Sequence, residues 1–264
     1  MFYWIYEIPT WALGVLFAII FVSATIISTA IMRPLVRRWV GGFPQNWNEV
    51  IGGIVAGYGG LYGILLALIA VGAYQNLTEV DQMVSAEAAS LGALYRDTSG
   101  YPEPLRTELL TSEREYCRFV IDRGWPQYRR GIIPPEGTER VNGILTKLIT
   151  FEPQTKGQEI LHAEAFHQFN VFADIRRKRL HSVTSGLPAI VWYVVGIGAL
   201  IGILLTGFFT FERFSLHLTL ASLLWVFTGL VVFLLAAMDH PLRGGVSIGA
   251  DAFSNVLNTL MTGP

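Results

Sequence analysis

NEVIGGIVAGYGGLYGILLALIAVGAY, residues Asn48 to Tyr74, runs without a break into QNLTEVDQMVSAEAASLGALYR, residues Gln75 to Arg96. From Ile51 to Tyr74 the chain is apolar and free of charge, long enough to cross a bilayer, which takes about 20 apolar residues as a helix. The second half is polar, but Leu77, Val80, Val84, Ala88, Leu91 and Tyr95 keep a helical period. The pattern predicts one long helix that starts in lipid and ends in water.

The membrane half is rich in small residues. Gly52, Ala56 and Gly60 recur every four positions, as do Gly53 and Gly57, and Gly59, Gly63 and Ala67. Small residues on a helix face let neighbouring backbones approach closely in lipid. Two readings follow: tight packing among the spans of one subunit, or a helix that meets its symmetry mates around an axis. Leu61, Leu65, Leu68 and Gly72 share one face, with Ile64 beside them. A ring of such leucines forms a hydrophobic constriction that gates by dewetting. The same face also suits lipid or a core.

Composition sets the class. The chain has 264 residues, 52% of them hydrophobic and 15% charged, with a mean hydropathy of +0.45; soluble domains carry roughly 25% charge. Residues 75–186 hold 14 of the 19 Lys and Arg and 15 of the 20 Asp and Glu, so a near-neutral soluble segment sits between membrane segments. The absence of a basic surplus speaks against nucleic acid as a partner. A single cysteine, Cys117, excludes an intrachain disulfide and a cysteine-based zinc site.

The chain divides at 1–74, 75–186, 187–238 and 239–264. The first span is expected over Thr10 to Met32, without a charge. MFYWIYEIPTWALG lacks the basic start of a cleavable signal peptide, and Trp4 and Trp11 suit the interface. The basic connector RPLVRRWVGGFPQNWNE follows, with Gly41, Gly42 and Pro44 as breakers. Helices are expected over 77–95, 103–123, 138–150 and 155–183, with a loop over GWPQYRRGIIPPEG from Gly124. Pro188 opens a third span to Phe211, Glu212 and Arg213 make a tight turn, and Phe214 to Met238 form the fourth. In the tail, Phe253, Val256, Leu257 and Leu260 line one side of a short helix, suited to a membrane surface or a neighbouring chain. Orientation stays open: the short connectors are basic and place the soluble segment outside, whereas Arg176, Arg177, Lys178 and Arg179 beside the third span place it inside.

Three pieces carry a family resemblance. The second-span stretch is one, EAASLGALYR from Glu87 to Arg96 is another, and Asp239-His240-Pro241-Leu242-Arg243-Gly244 is the third. Together they resemble the bacterial bestrophin-like family, itself remotely similar to the bestrophin anion channels. The resemblance implies an all-α, bestrophin-like membrane protein assembled as a homo-oligomer, with a pentamer favoured. Its pore helix would span Gly57 to Gly72, with a neck among Leu61, Ile64, Leu65 and Leu68. The post-membrane motif becomes Asp239, Pro241 and Gly244. Bestrophins also keep their soluble part in the cytosol. Departures are clear. The acidic calcium clasp of animal bestrophins is missing, since no acid lies between Asp239 and Asp251. Calcium takes six to eight oxygen ligands, so no metal is expected. The neck aromatics typical of bestrophins are not at matching positions.

Glu87 lies beside the apolar stripe, where it could pair with Arg96 or with the 176–179 cluster, and that cluster reads as a headgroup anchor or a solvated face. His217 is the one ionisable residue within a span, which argues against a proton-coupled transporter. Enzymatic readings are weak. His162 and His167 are five apart and do not share a helix face, His181, His217 and His240 are scattered, and Gly57-Tyr58-Gly59-Gly60 lies within an apolar run rather than in a phosphate loop. The sequence therefore predicts a four-span protein of the bacterial inner membrane, without enzymatic activity or cofactor, that conducts small anions such as chloride. The alternative is a non-conducting membrane sensor or scaffold whose soluble helices bind a partner.

Overall fold

The computed structural model describes residues 3–40, 45–211 and 213–262. Gly41, Gly42, Pro44 and Glu212, expected to shape the two connectors, lie outside the described residues, as does the side chain of Trp4. All regular structure among the described residues is helical. The chain forms two compact units, Met1–Gln75 with Leu187–Asp239, and Asn76–Gly186 with His240–Pro264.

The first unit holds α1 (Thr10–Val40), the first half of α2 (Trp47–Thr98), α7 (Ala189–Gly207) and α8 (Phe214–Met238). Each of the four is long and apolar enough to cross a membrane. Helix α1 runs eight residues past its expected end at Met32, through Pro34, Arg37 and Arg38. Proline is tolerated in membrane helices where neighbours satisfy the freed backbone. Here tertiary contacts hold the extension: Val36 is buried, and the Arg33 guanidinium sits 4.9 Å above the Phe214 ring. Trp47 and Asn48 tie the start of α2 to the end of α7. Trp47 Nε1 donates to the Phe208 carbonyl at 3.0 Å. Asn48 Nδ2 donates to Thr210 O at 2.7 Å, while its Oδ1 accepts from Thr210 N at 3.0 Å.

Helices α1 and α8 pack side by side, with Gly229 against the Phe21 ring and Phe21 stacked on Trp225 at 6.2 Å. Between α2 and α7 the contact is made by two stacked tyrosines, Tyr58 and Tyr62. Their hydroxyls donate to the carbonyls of Gly198 and Val195. The glycines that allow this approach are on α7. A Cβ at Gly198 would strike Tyr62, and one at Gly202 would strike Trp225 and Tyr58. The small residues of α2 do something else. Nothing comes within 4 Å of a Cβ built on Gly53, Gly57, Gly60 or Gly63, Gly52 meets only the edge of Phe209, and Ala56 is exposed. Tight packing of these residues against their own subunit, one of the two readings of the sequence, is thus corrected, because tyrosines hold the helices apart where glycines would bring them together.

The second unit holds the rest of α2, α3 (Leu105–Phe119), a π-turn (Val120–Gly124), α4 (Trp125–Tyr128), α5 (Glu136–Ile149), α6 (Lys156–Ser182) and α9 (Asp251–Thr259). The loop expected from Gly124 starts only after Tyr128. Pro126 follows directly on the π-turn, and Trp125 and Tyr128 are buried. Thr155 caps α6 by accepting from Gln158 N at 3.2 Å, while Gln158 Oε1 accepts from Gln154 N at 2.7 Å; this reciprocal pair fixes where the helix begins.

Helix α9, expected on a membrane surface or a neighbouring chain, packs its apolar side onto its own unit. Phe253 is fully buried, 5.9 Å from the Trp125 ring, and its carbonyl accepts from Cys117 Sγ. Val256 and Leu260 cover Gly92 of α2. The apolar side of α9 completes the core of its own unit. Phe253→Ala should therefore lower stability by about 3–5 kcal/mol, read as a fall in melting temperature of the full-length protein in detergent. A tail helix resting on lipid would leave that temperature unchanged.

Candidate functional site

Helix α2 turns by 100° per residue, and its two sides meet different surroundings. Tyr62, Leu66 and Ala73 are buried against their own unit. Leu65 is half-buried at the margin of that core. Leu61, Ile64 and Leu68 are 75%, 62% and 68% exposed, and Gly72 is exposed with them. The face read from the sequence as a neck is therefore not used by the subunit's own spans. Beside it, Tyr62 and Leu66 of α2 face Trp225 and Phe227 of α8 across an apolar cavity of 410 Å³. No charged side chain lies on α2 between Glu49 and Glu79, so this length of helix offers an ion neither a counter-charge nor a trap. His217 on α8 is buried, and its Nε2 lies 3.0 Å from the Thr206 carbonyl. Its place is in the packing of α7 on α8.

The residues after α8 form a joint. Both carboxylate oxygens of Asp239 are engaged, one by the backbone N–H of Leu187 and the other by Trp192 Nε1 at 3.2 Å. The motif aspartate thus fastens the end of α8 to the start of α7. In the second unit, His240 Nδ1 lies 3.0 Å from the Ser185 carbonyl, and its ring rests on Gly186. The Pro241 carbonyl accepts from Ile248 N at 2.9 Å. Gly244 has φ +75°, a conformation that glycine adopts without penalty.

The 176–179 cluster is not one surface. Arg177 and Lys178 are exposed, with Lys178 paired to Asp174 at 2.8 Å. Arg176 and Arg179 are buried, which corrects the headgroup or solvated reading for both. Arg179 grips Glu87 through two nitrogens, Nε to Oε2 and Nη2 to Oε1, the latter at 3.1 Å. Tyr116 donates to Glu87 Oε1 at 2.8 Å, and Arg176 Nε donates to the Tyr116 hydroxyl at 3.1 Å. The rings of Trp125, Tyr128 and Phe253 stand 4.8–5.8 Å from the Arg179 guanidinium, within range of cation–π attraction. Burial disfavours the Arg179 charge, but the adjoining Glu87 outweighs it and raises the guanidinium above its ordinary value. Burial also pushes the Tyr116 phenol well up and the Cys117 thiol to about 12.

A signal for this pairing was present in the chain. Ala165, Phe169 and Phe172 continue in register to Arg176 and Arg179, at steps of four, three, four and three. Charges riding on an apolar stripe are charges carried into a core. Arg96, the other expected partner of Glu87, is exposed. Nine residues at 100° place it on the opposite side of α2 from Glu87. The aromatic box around Arg179 gave no such signal, because its members come from α4 and α9, far apart in sequence.

Four apolar helices with a helical unit built on the extension of the second define a membrane protein of bestrophin fold. The chain belongs to the bestrophin-like family, whose domain model matches residues 13–253. Two crystal structures of a bacterial bestrophin homologue from Klebsiella pneumoniae, one a mutant, superpose with TM-scores of 0.68 and 0.65 at 12% identity, covering 95% of this chain and 99% of theirs. A crystal structure of a membrane protein variant gives 0.65 with the same identity and coverage. Comparison with curated proteins gives no match.

Removing one member of a buried ion pair strands the other. Arg179→Ala should cost about 3–5 kcal/mol of stability, whereas Arg96→Ala, at an exposed site, should stay within about 0.5 kcal/mol. Paired thermal melts of the two variants measure the contrast. Equal effects would mean that the Glu87–Arg179 pair does not hold the core.

Proposed function

We propose that this protein is a passive channel for small anions such as chloride, assembled as a homo-oligomer, with a pentamer favoured, around helix α2. The observation that supports this most is the exposed, uncharged face of Leu61, Ile64, Leu68 and Gly72 on a helix whose other side is anchored to its own spans. Around an axis these side chains form an apolar neck. Such a neck passes ions by wetting and stops them by drying. The small residues Gly53, Gly57 and Gly60, open on the same exposed arc, let neighbouring α2 helices come close. The anion preference rests on the family's kinship with bestrophins, and the site on the bacterial inner membrane rests on the bacterial relatives. A scaffold would use its leucines to pack its own spans, and the exposure of Leu61, Ile64 and Leu68 speaks against that.

Full-length protein in a planar bilayer under an asymmetric KCl gradient should show discrete currents reversing towards the chloride equilibrium potential. Leu61→Ala with Leu68→Ala should raise the closed-state leak, and Leu65→Ala should change gating. Reversal towards potassium would overturn the anion assignment. Silence from an intact oligomer would overturn the channel.

A further inference from the structure

The last turn of α2 meets α3 at a carboxyl group for which nothing above has given a role. Glu113 is fully buried, and so is Thr98. Thr98 Oγ1 lies 3.2 Å from the Tyr95 carbonyl and 3.0 Å from Glu113 Oε2. A threonine hydroxyl has one hydrogen to give and can accept two. An ionised Glu113 and the Tyr95 carbonyl would compete for that one hydrogen, whereas a protonated Oε2 donates to Thr98 Oγ1 and leaves the Thr98 hydrogen to Tyr95. The second carboxyl oxygen, Oε1, is buried without a hydrogen-bond partner among the described residues, a poor setting for an ionised group that accepts at both oxygens.

We infer that Glu113 is a protonation site: its carboxyl holds a proton on Oε2, donates it to Thr98 Oγ1, and so fastens the last turn of α2 to α3. Ionisation sets two acceptors against one hydrogen and puts a buried charge beside the unpartnered Oε1, which loosens this fastening. The groups around it favour the neutral form. Asp97 on α2 stands beside Thr98, and burial raises Glu113 well above the usual glutamate value of 4.5, opposed by the Thr98 hydrogen bond and reinforced by Asp97. Tyr101, in the segment after α2, is engaged with His162 Nδ1 of α6 at 2.7 Å, and Glu164 of α6 acts on Asp97. The nearby cations bond elsewhere: Arg114 of α3 to the Tyr95 hydroxyl, Arg140 of α5 to Glu115, and Lys147 of α5 to Ser112 and Glu108. A proton held more tightly in the folded state stabilises that state. The contribution is full below the ordinary glutamate value and is lost as pH rises through the raised one.

Infrared spectroscopy of the full-length protein in lipid reads the proton directly. At neutral pH the wild type minus Glu113→Gln difference should contain a carboxylic-acid C=O band, which disappears on titration to alkaline pH. Hydrogen exchange over residues 91–101, corrected for intrinsic rates, should speed up with pH in the wild type but not in Glu113→Gln, whose amide still donates to Thr98. No acid band at neutral pH, or the same pH response in both proteins, overturns the inference. If Glu113→Gln does not fold, Thr98→Val serves instead. Removing the hydroxyl should shift the acid band, and an unmoved band overturns the inference.

Discussion

A helix that leaves a bilayer must keep one hydrogen-bond ladder intact across two solvents, because lipid offers no partner to an open backbone group. Helix α2 meets this demand by not breaking: its 52 residues run from Trp47 to Thr98 with no proline. Both units depend on it. In the first, Tyr58 and Tyr62 of α2 find their acceptors on the α7 backbone. In the second, Val80, Val84, Ala88, Leu91 and Leu94 supply one wall of the core, and α9 closes over Gly92.

The second unit buries two carboxyls by different means. Glu87 is met by a guanidinium, a phenol and, through that phenol, a second guanidinium. Such a network is stable only when complete, since desolvated charge without a partner is expensive. Glu113 has a single hydroxyl as its partner and no cation, and there the cheaper solution is a proton. Both carboxyls belong to contacts between α2 and other helices, so the water-facing half of α2 is positioned by polar bonds added to its apolar core face, whereas the lipid-facing half is positioned by its tyrosines. In lipid, apolar contact carries little hydrophobic driving force between helices, and specific hydroxyl-to-carbonyl bonds hold α2 on α7.

The spans keep charge out. His217 is absorbed by the Thr206 carbonyl, and Asp239 caps the entry to α7 at the end of α8. What remains on α2 is an exposed apolar face flanked by glycines, the feature on which the proposed channel rests.

Four spans, the inserted helical segment and the continuity of α2 were legible in the sequence, because each rests on local hydrogen bonding and on a hydropathy that any 20-residue window reveals. The register of Arg176 and Arg179 on the α6 stripe was legible too, once charge on an apolar face is read as burial. The extension of α1 through Pro34 was not, since it rests on Val36 and Arg33 meeting residues far along the chain. The α9 helix was recognisable as amphipathic, but what it covers was not written in its period. Periodicity tells which residues share a face and is silent about what the face meets. Lipid, core and a neighbouring helix are equally apolar, so only the tertiary structure could separate Tyr62 and Leu66, which turn inward, from Leu61, Ile64 and Leu68, which do not.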